Sequence, residues 1–185
     1  MDEVAVIARP GVASREGETA SMARALAAHR TLLTLPPEAR LEGGDVMRVE
    51  RTLYVGQSAR TNAAGVTALG QLLAPHGYTV EGLTPTGCLH LKTACTFVPA
   101  GFLIFNPDWI DARLFPDLTP VAVDPAEPFG ANTLTVNGVT LVGAQFPRTR
   151  ARLEAAGIGT RAVDLSELAK AEGALTCSSV MVAVT

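Results

Sequence analysis

The chain has 185 residues, 48% hydrophobic and 18% charged, and a formal net charge of −3 from 15 basic and 18 acidic side chains. That size fits about one domain, and the balance excludes a disordered or fibrous chain. A slightly acidic chain has no basic field to attract nucleic acid or an anionic membrane. Its apolar runs are far shorter than the ~18 residues of a membrane span, and the Met1-Asp2-Glu3 start does not read as an export signal.

In chain order, Val4–Ala8 reads as a strand, followed by a polar turn and a helix over 18–29. Asp45–Val49 and Thr52–Val55 read as a hairpin leading into a helix over 61–75. There Val66, Leu69, Leu72 and Leu73 share one apolar face, and Gly77 sits where a C-terminal cap belongs. Phe102–Phe105 reads as a strand before a short helix over 108–114. Thr133–Val136 and Thr140–Val142 are joined by Asn137-Gly138, a strong type I′ hairpin pattern, and precede a helix over 147–156 capped by Gly157. The valine-rich end, Leu175–Val184, reads as a last strand.

The chain also resembles itself. Gly56-Gln57-Ser58-Ala59-Arg60-Thr61-Asn62-Ala63 is similar to Ala144-Gln145-Phe146-Pro147-Arg148-Thr149-Arg150-Ala151, and Pro10 to Glu16 is a looser copy. Arginines at 15, 60 and 148 set a period of roughly 44 residues, with a further copy expected near Asn106-Pro107-Asp108. The repeated unit is ββα(β). One such unit cannot bury both faces of its small sheet, so neighbours must cover it. A ring of these units would bring one loop from each to a common centre.

Three cysteines, with no C-x-x-C and no finger spacing, argue against a disulfide scaffold or structural zinc and for a reducing compartment. Four segments lie at element boundaries: Leu41-Glu42-Gly43-Gly44-Asp45-Val46, Ser58-Ala59-Arg60-Thr61-Asn62, Leu89-His90-Leu91-Lys92, and Leu175-Thr176-Cys177-Ser178-Ser179-Val180. A thiol, an imidazole and a carboxylate are the parts of a Cys-His-Glu constellation. Taken singly, Cys177 reads as a small buried hydrophobe, His90 as a satisfied histidine and Glu42 as part of a turn. Arg15 and Arg60 near helix starts run against the helix dipole, which an anionic ligand would explain.

Together, in this order and with Arg9-Pro10-Gly11, Ser14-Arg15 and Gly17-Glu18-Thr19, the segments resemble the dimethylarginine dimethylaminohydrolase family of the guanidine-modifying pentein superfamily. The resemblance spans about Val4 to Val182 and implies a single α/β domain, a pentein propeller of ββα(β) repeats. It implies Cys177 as nucleophile, His90 as general acid/base, and Glu42 as the group that orients His90 or contacts the guanidinium. It implies Arg15 and Arg60 as holders of the substrate's α-carboxylate, and leaves open whether Glu42 or Asp45 faces the substrate. The implied reaction turns N-methylated arginine into citrulline and methylamine or dimethylamine, in the cytoplasm, with no metal and no organic cofactor. The tetrahedral adduct stays cationic, so such a site wants carboxylates rather than an oxyanion hole.

Two departures matter. Family members carry a further N-terminal stretch, and at a ~44-residue period this chain holds about four of five units. A fragment or a shortened homologue is expected. A missing unit would expose strand edges, favouring a homodimer by strand addition or an inactive binding module. Lys92 stands two residues after His90, where arginine deiminases carry an aspartate. That argues against the deiminase branch. Cys88 and Cys95 are expected to be buried.

Overall fold

The computed structural model describes residues 1–11 and 13–182. Its four sheets repeat one grammar. β1 (Val4–Ile7) leads through α1 (Glu16–Ala27) to β2 (Thr31–Thr34), which pairs with it in parallel. β3 (Val46–Val49) pairs antiparallel with β4 (Thr52–Gly56), and α2 (Ala63–Leu73) carries the chain to β5 (Thr79–Leu83), parallel to β4. After the short α3 (Leu91–Ala94), β6 (Cys95–Val98) and β7 (Phe102–Phe105) form a hairpin, and β8 (Thr119–Ala122) returns parallel to β7. β9 (Leu134–Val136) and β10 (Val139–Gly143) form the last hairpin. Then α4 (Pro147–Ala155) leads to β11 (Thr160–Val163), parallel to β10, and α5 (Ser166–Ala169) follows. The crossover helices let parallel strands neighbour one another.

The chain divides into two compact units, Met1–Thr84 with the end from Met181, and Pro85–Val180. In the first, Leu69 and Leu73 of α2 are buried against Leu53 and Val55 of β4, with Val66 and Leu72 partly buried beside them. In the second, Ile104, Val142 and Leu153 are fully buried at the centre of the core. The local turn chemistry follows the sequence. Asn137 and Gly138 both have positive φ (50° and 77°), as a type I′ turn requires. Gly77 and Gly157 are left-handed (73° and 84°). At both, the following N–H reaches back five residues, Tyr78 to Leu73 and Ile158 to Leu153, which closes a Schellman cap.

Four expectations need correction. The helix over 108–114 is a turn with a single 3-10 segment at Ala112–Leu114, whose cap is the Asp111 carboxylate accepting from the Arg113 N–H. The repeat copies are not equivalent in place. Arg60 precedes the Asn62 N-cap of α2, whereas Arg148 lies inside the first turn of α4. Leu175–Ser178 is a run of turns, and no strand follows among the described residues through Val182. The last residues of that expected strand lie outside the described residues. Val180 and Met181 are exposed, with no ladder partner in any sheet, so strand propensity has nothing to pair with. Finally, Cys95 is buried as expected but Cys88 is only half-buried.

Candidate functional site

In the first unit the site is built around Glu42. An isolated antiparallel bridge between Arg9 and Leu41 lays the Pro10–Gly11 turn beside it. The Gly11 N–H then donates to Glu42 Oε1 (3.2 Å). A β-carbon on Gly11 would sit 2.9 Å from the Arg60 carbonyl oxygen, so only glycine allows the two repeated loops to approach this closely. Arg15 Nη1 donates to Glu42 Oε2 (3.1 Å) and Arg60 Nη1 to Oε1 (3.4 Å). Two repeat-related arginines therefore converge on one carboxylate that is 4% exposed. Burying that charge is tolerable because both guanidiniums compensate it.

The two arginines are differently occupied. Arg15 also turns its Nε and Nη2 edge onto Glu18 (3.1 and 2.9 Å), one turn along α1. Among the described residues Arg60 makes side-chain bonds only through Nη1, which leaves the Nε–Nη2 edge open. That edge is the one a guanidinium uses for bidentate carboxylate binding.

Asp45 has no accessible surface. Its Oδ2 accepts from the Ser58 hydroxyl (2.8 Å) and the Thr61 hydroxyl (2.7 Å). Thr61 Oγ1 in turn accepts the Glu42 N–H (3.1 Å). Asp45 thus ties the Arg60 loop to the Glu42 turn. Asn62, the N-cap of α2, accepts the Gly65 N–H (2.8 Å) and the Arg40 N–H (3.0 Å), anchoring the other end of that loop.

The second unit carries the thiol and the imidazole. His90 is the half-buried N-cap residue of α3, and its carbonyl accepts the Thr93 N–H (3.0 Å) and the Cys88 thiol (3.4 Å). Cys177 is exposed on its turn. Its sulfur accepts the Ala174 N–H (2.9 Å) and donates to the Ala174 carbonyl (3.2 Å). Cys95 is the opposite case: burial pushes its thiol far above the ordinary range, which makes it inert. Asn132 links the two functional segments through Lys92 and Thr176. The sequence assigns Glu18 no role beyond its place in the Gly17-Glu18-Thr19 segment and does not single out Asn132, which is distinguished only by what it touches. Among the described residues no group of three His, Cys, Asp or Glu side chains could hold a metal ion.

These sheet–helix–strand repeats and the Arg-Glu-Arg cluster define a pentein-type α/β protein. Comparison with known proteins agrees. No family model matches the chain. It is 38% identical over 180 residues to the N(G),N(G)-dimethylarginine dimethylaminohydrolase of Streptomyces coelicolor, covering 96% of this chain and 68% of that one. It is 30% identical over 177 residues to the protein of the same name from Pseudomonas aeruginosa, covering 95% and 70%. Among solved structures it is similar to a cysteine-to-serine variant of the Pseudomonas aeruginosa enzyme complexed with citrulline. The TM-score is 0.88 at 30% identity, covering 94% of this chain and 69% of that one. The chain belongs to the dimethylarginine dimethylaminohydrolase family.

Proposed function

We propose that the protein hydrolyses N-methylated or dimethylated arginine to citrulline and methylamine or dimethylamine through a covalent intermediate on Cys177. The Cys177 thiolate attacks the guanidinium carbon. The C–N bond to the methylated nitrogen then breaks as His90 delivers a proton to the departing amine, leaving a thiouronium on the sulfur. His90 next takes a proton from water, the resulting hydroxide adds to the same carbon, and the C–S bond breaks to release the thiolate and citrulline, whose hydroxyl proton passes to solvent or to the departed amine.

In the first unit the open edge of Arg60 suits an α-carboxylate better than Arg15, whose fork is filled by Glu18. Glu42 aims both guanidiniums, and buried Asp45 holds the Arg60 loop without touching substrate. The observation that carries the reading is the accessible Cys177, tied through one side chain to the His90 helix, in a chain of this family. Free thiols at all three cysteines suit the reducing cytoplasm.

The test is citrulline release from dimethylarginine, with arginine and buffer as controls, by the purified chain and by Cys177→Ser. Release that is selective for dimethylarginine and abolished by the substitution, with the circular dichroism spectrum unchanged, is expected. A folded wild-type chain that forms no citrulline, or a serine variant that still forms it, refutes the proposal.

A further inference from the structure

We infer that Asn132 is a positioning residue that locks the Cys177 turn to the His90 helix and so sets the geometry of the nucleophile. The inference rests on the roles proposed above for Cys177 and His90. Its base is rigid. Thr96 of β6 donates its hydroxyl to the Ala131 carbonyl (2.6 Å), accepts the Thr133 N–H (3.3 Å) and shares a hydrogen bond with the Thr133 hydroxyl (2.7 Å). Ala131, Thr133 and Thr96 are all buried, so the backbone on both sides of Asn132 is clamped to the sheet.

From that base the carboxamide reaches in two directions. Nδ2 donates to the Lys92 carbonyl (2.8 Å), in the first turn of the helix that His90 begins, and to Thr176 Oγ1 (2.9 Å). Oδ1 accepts the N–H of Thr176 (3.1 Å), the residue before Cys177. A carbonyl can only accept and an N–H can only donate, so the Lys92 carbonyl and the Thr176 N–H fix the amide in one orientation, and the Thr176 hydroxyl accepts in it. Aspartate has no N–H to offer Lys92. Glutamine is one carbon too long. Serine cannot span both partners. Sequence-distant segments bearing an acid/base and a nucleophile thereby share one carboxamide, and displacement of such groups by about 1 Å can cost roughly 100-fold in rate.

The experiment compares wild type, Asn132→Asp, Thr176→Val and a control, Thr135→Val. The control removes a hydroxyl pair with Thr140 (3.0 Å) between β9 and β10. Citrulline kinetics and the pH profile of Cys177 alkylation by iodoacetamide, located by mass spectrometry, are read on the full chain. Asn132→Asp preserves size but sets an oxygen against the Lys92 carbonyl. Its kcat should fall roughly 10–100-fold with KM within about threefold, and its alkylation profile should shift along the pH axis. Thr176→Val, which loses one bond on a surface turn, should fall less. Thr135→Val should keep wild-type kcat.

An Asn132→Asp chain with wild-type kcat, or a Thr135→Val chain that falls as far, overturns the inference. If Asn132→Asp does not fold, Thr176→Val decides it: wild-type kcat there overturns it. A wild-type chain that forms no citrulline refutes the function instead. The alkylation arm then judges Asn132 alone, with superimposable wild-type and Asn132→Asp profiles counting against it and a shifted profile for it.

Discussion

Gly65 lies in the first turns of α2, where helix propensity favours alanine by about 1 kcal/mol. The structure predicts the opposite sign. A β-carbon at Gly65 would stand well inside contact distance of the Arg40 carbonyl oxygen and 2.9 Å from its carbon. Both are backbone atoms, so no side chain can swing away. The helix or the Arg40 strap must move. Either movement strains the Asn62 N–H to Arg40 carbonyl bond (3.1 Å) and the Arg40 N–H to Asn62 Oδ1 bond (3.0 Å). Two hydrogen bonds at about 1 kcal/mol each, plus overpacking strain of about 1–3 kcal/mol, outweigh the propensity gain. Gly65→Ala should therefore destabilise by about 2–4 kcal/mol and lower Tm by roughly 5–15 °C. Gly17, in α1, is the control. Nothing lies within 4 Å of a β-carbon there, so Gly17→Ala should stabilise slightly, by about 0.5 kcal/mol. Urea and thermal melts of both variants measure this. Equal gains at the two positions would refute the close approach of α2 to the Arg40 strap, and with it the placement of Glu42 two residues on.

Two further outcomes follow from the charges. Arg60→Ala should raise KM for dimethylarginine roughly 10–100-fold, the value of a charged bidentate contact, and Arg60→Lys should recover only part of it; an unchanged KM would remove Arg60 from carboxylate binding. Arg48 forks onto Asp2 (2.8 and 2.7 Å) and, with help from the Tyr78 hydroxyl, holds the Asp2 carboxyl down at about 2. A carboxyl depressed by folding stabilises above its unfolded value near 4, and that contribution is lost as pH falls through 2. For so exposed a pair the effect is about 0.5–1 kcal/mol. Asp2→Asn should therefore be less stable than wild type at pH 7 and indistinguishable near pH 2; urea melts showing the same gap at both pH values would refute the linkage.

Much of this protein is written locally. The type I′ turn at Asn137-Gly138, the caps at Gly77 and Gly157, the apolar face of α2 and the hairpins are dictated by nearby residues, because φ preference, cap chemistry and periodicity act over a few positions. The ββα(β) repeat was legible as self-similarity along the chain, and the roles proposed for Cys177 and His90 came from resemblance to a family rather than from local rules. Where a partner lies far along the chain, the local reading failed or stayed silent. α4 begins at Pro147 after a Phe146 that cannot cap. Its first N–H groups, at Arg148 and Thr149, are satisfied by buried Glu127 (3.0 and 2.7 Å), which no nearby spacing announces. The valine-rich end looked like a strand, yet among its described residues, through Val182, no sheet edge receives a ladder. The cluster on Glu42 also depends on distant partners. That arginines 15 and 60 belong to repeats was visible in the order of residues. That one is occupied by Glu18 and the other keeps an open edge depends on distances between side chains remote in sequence, and only the folded chain sets those.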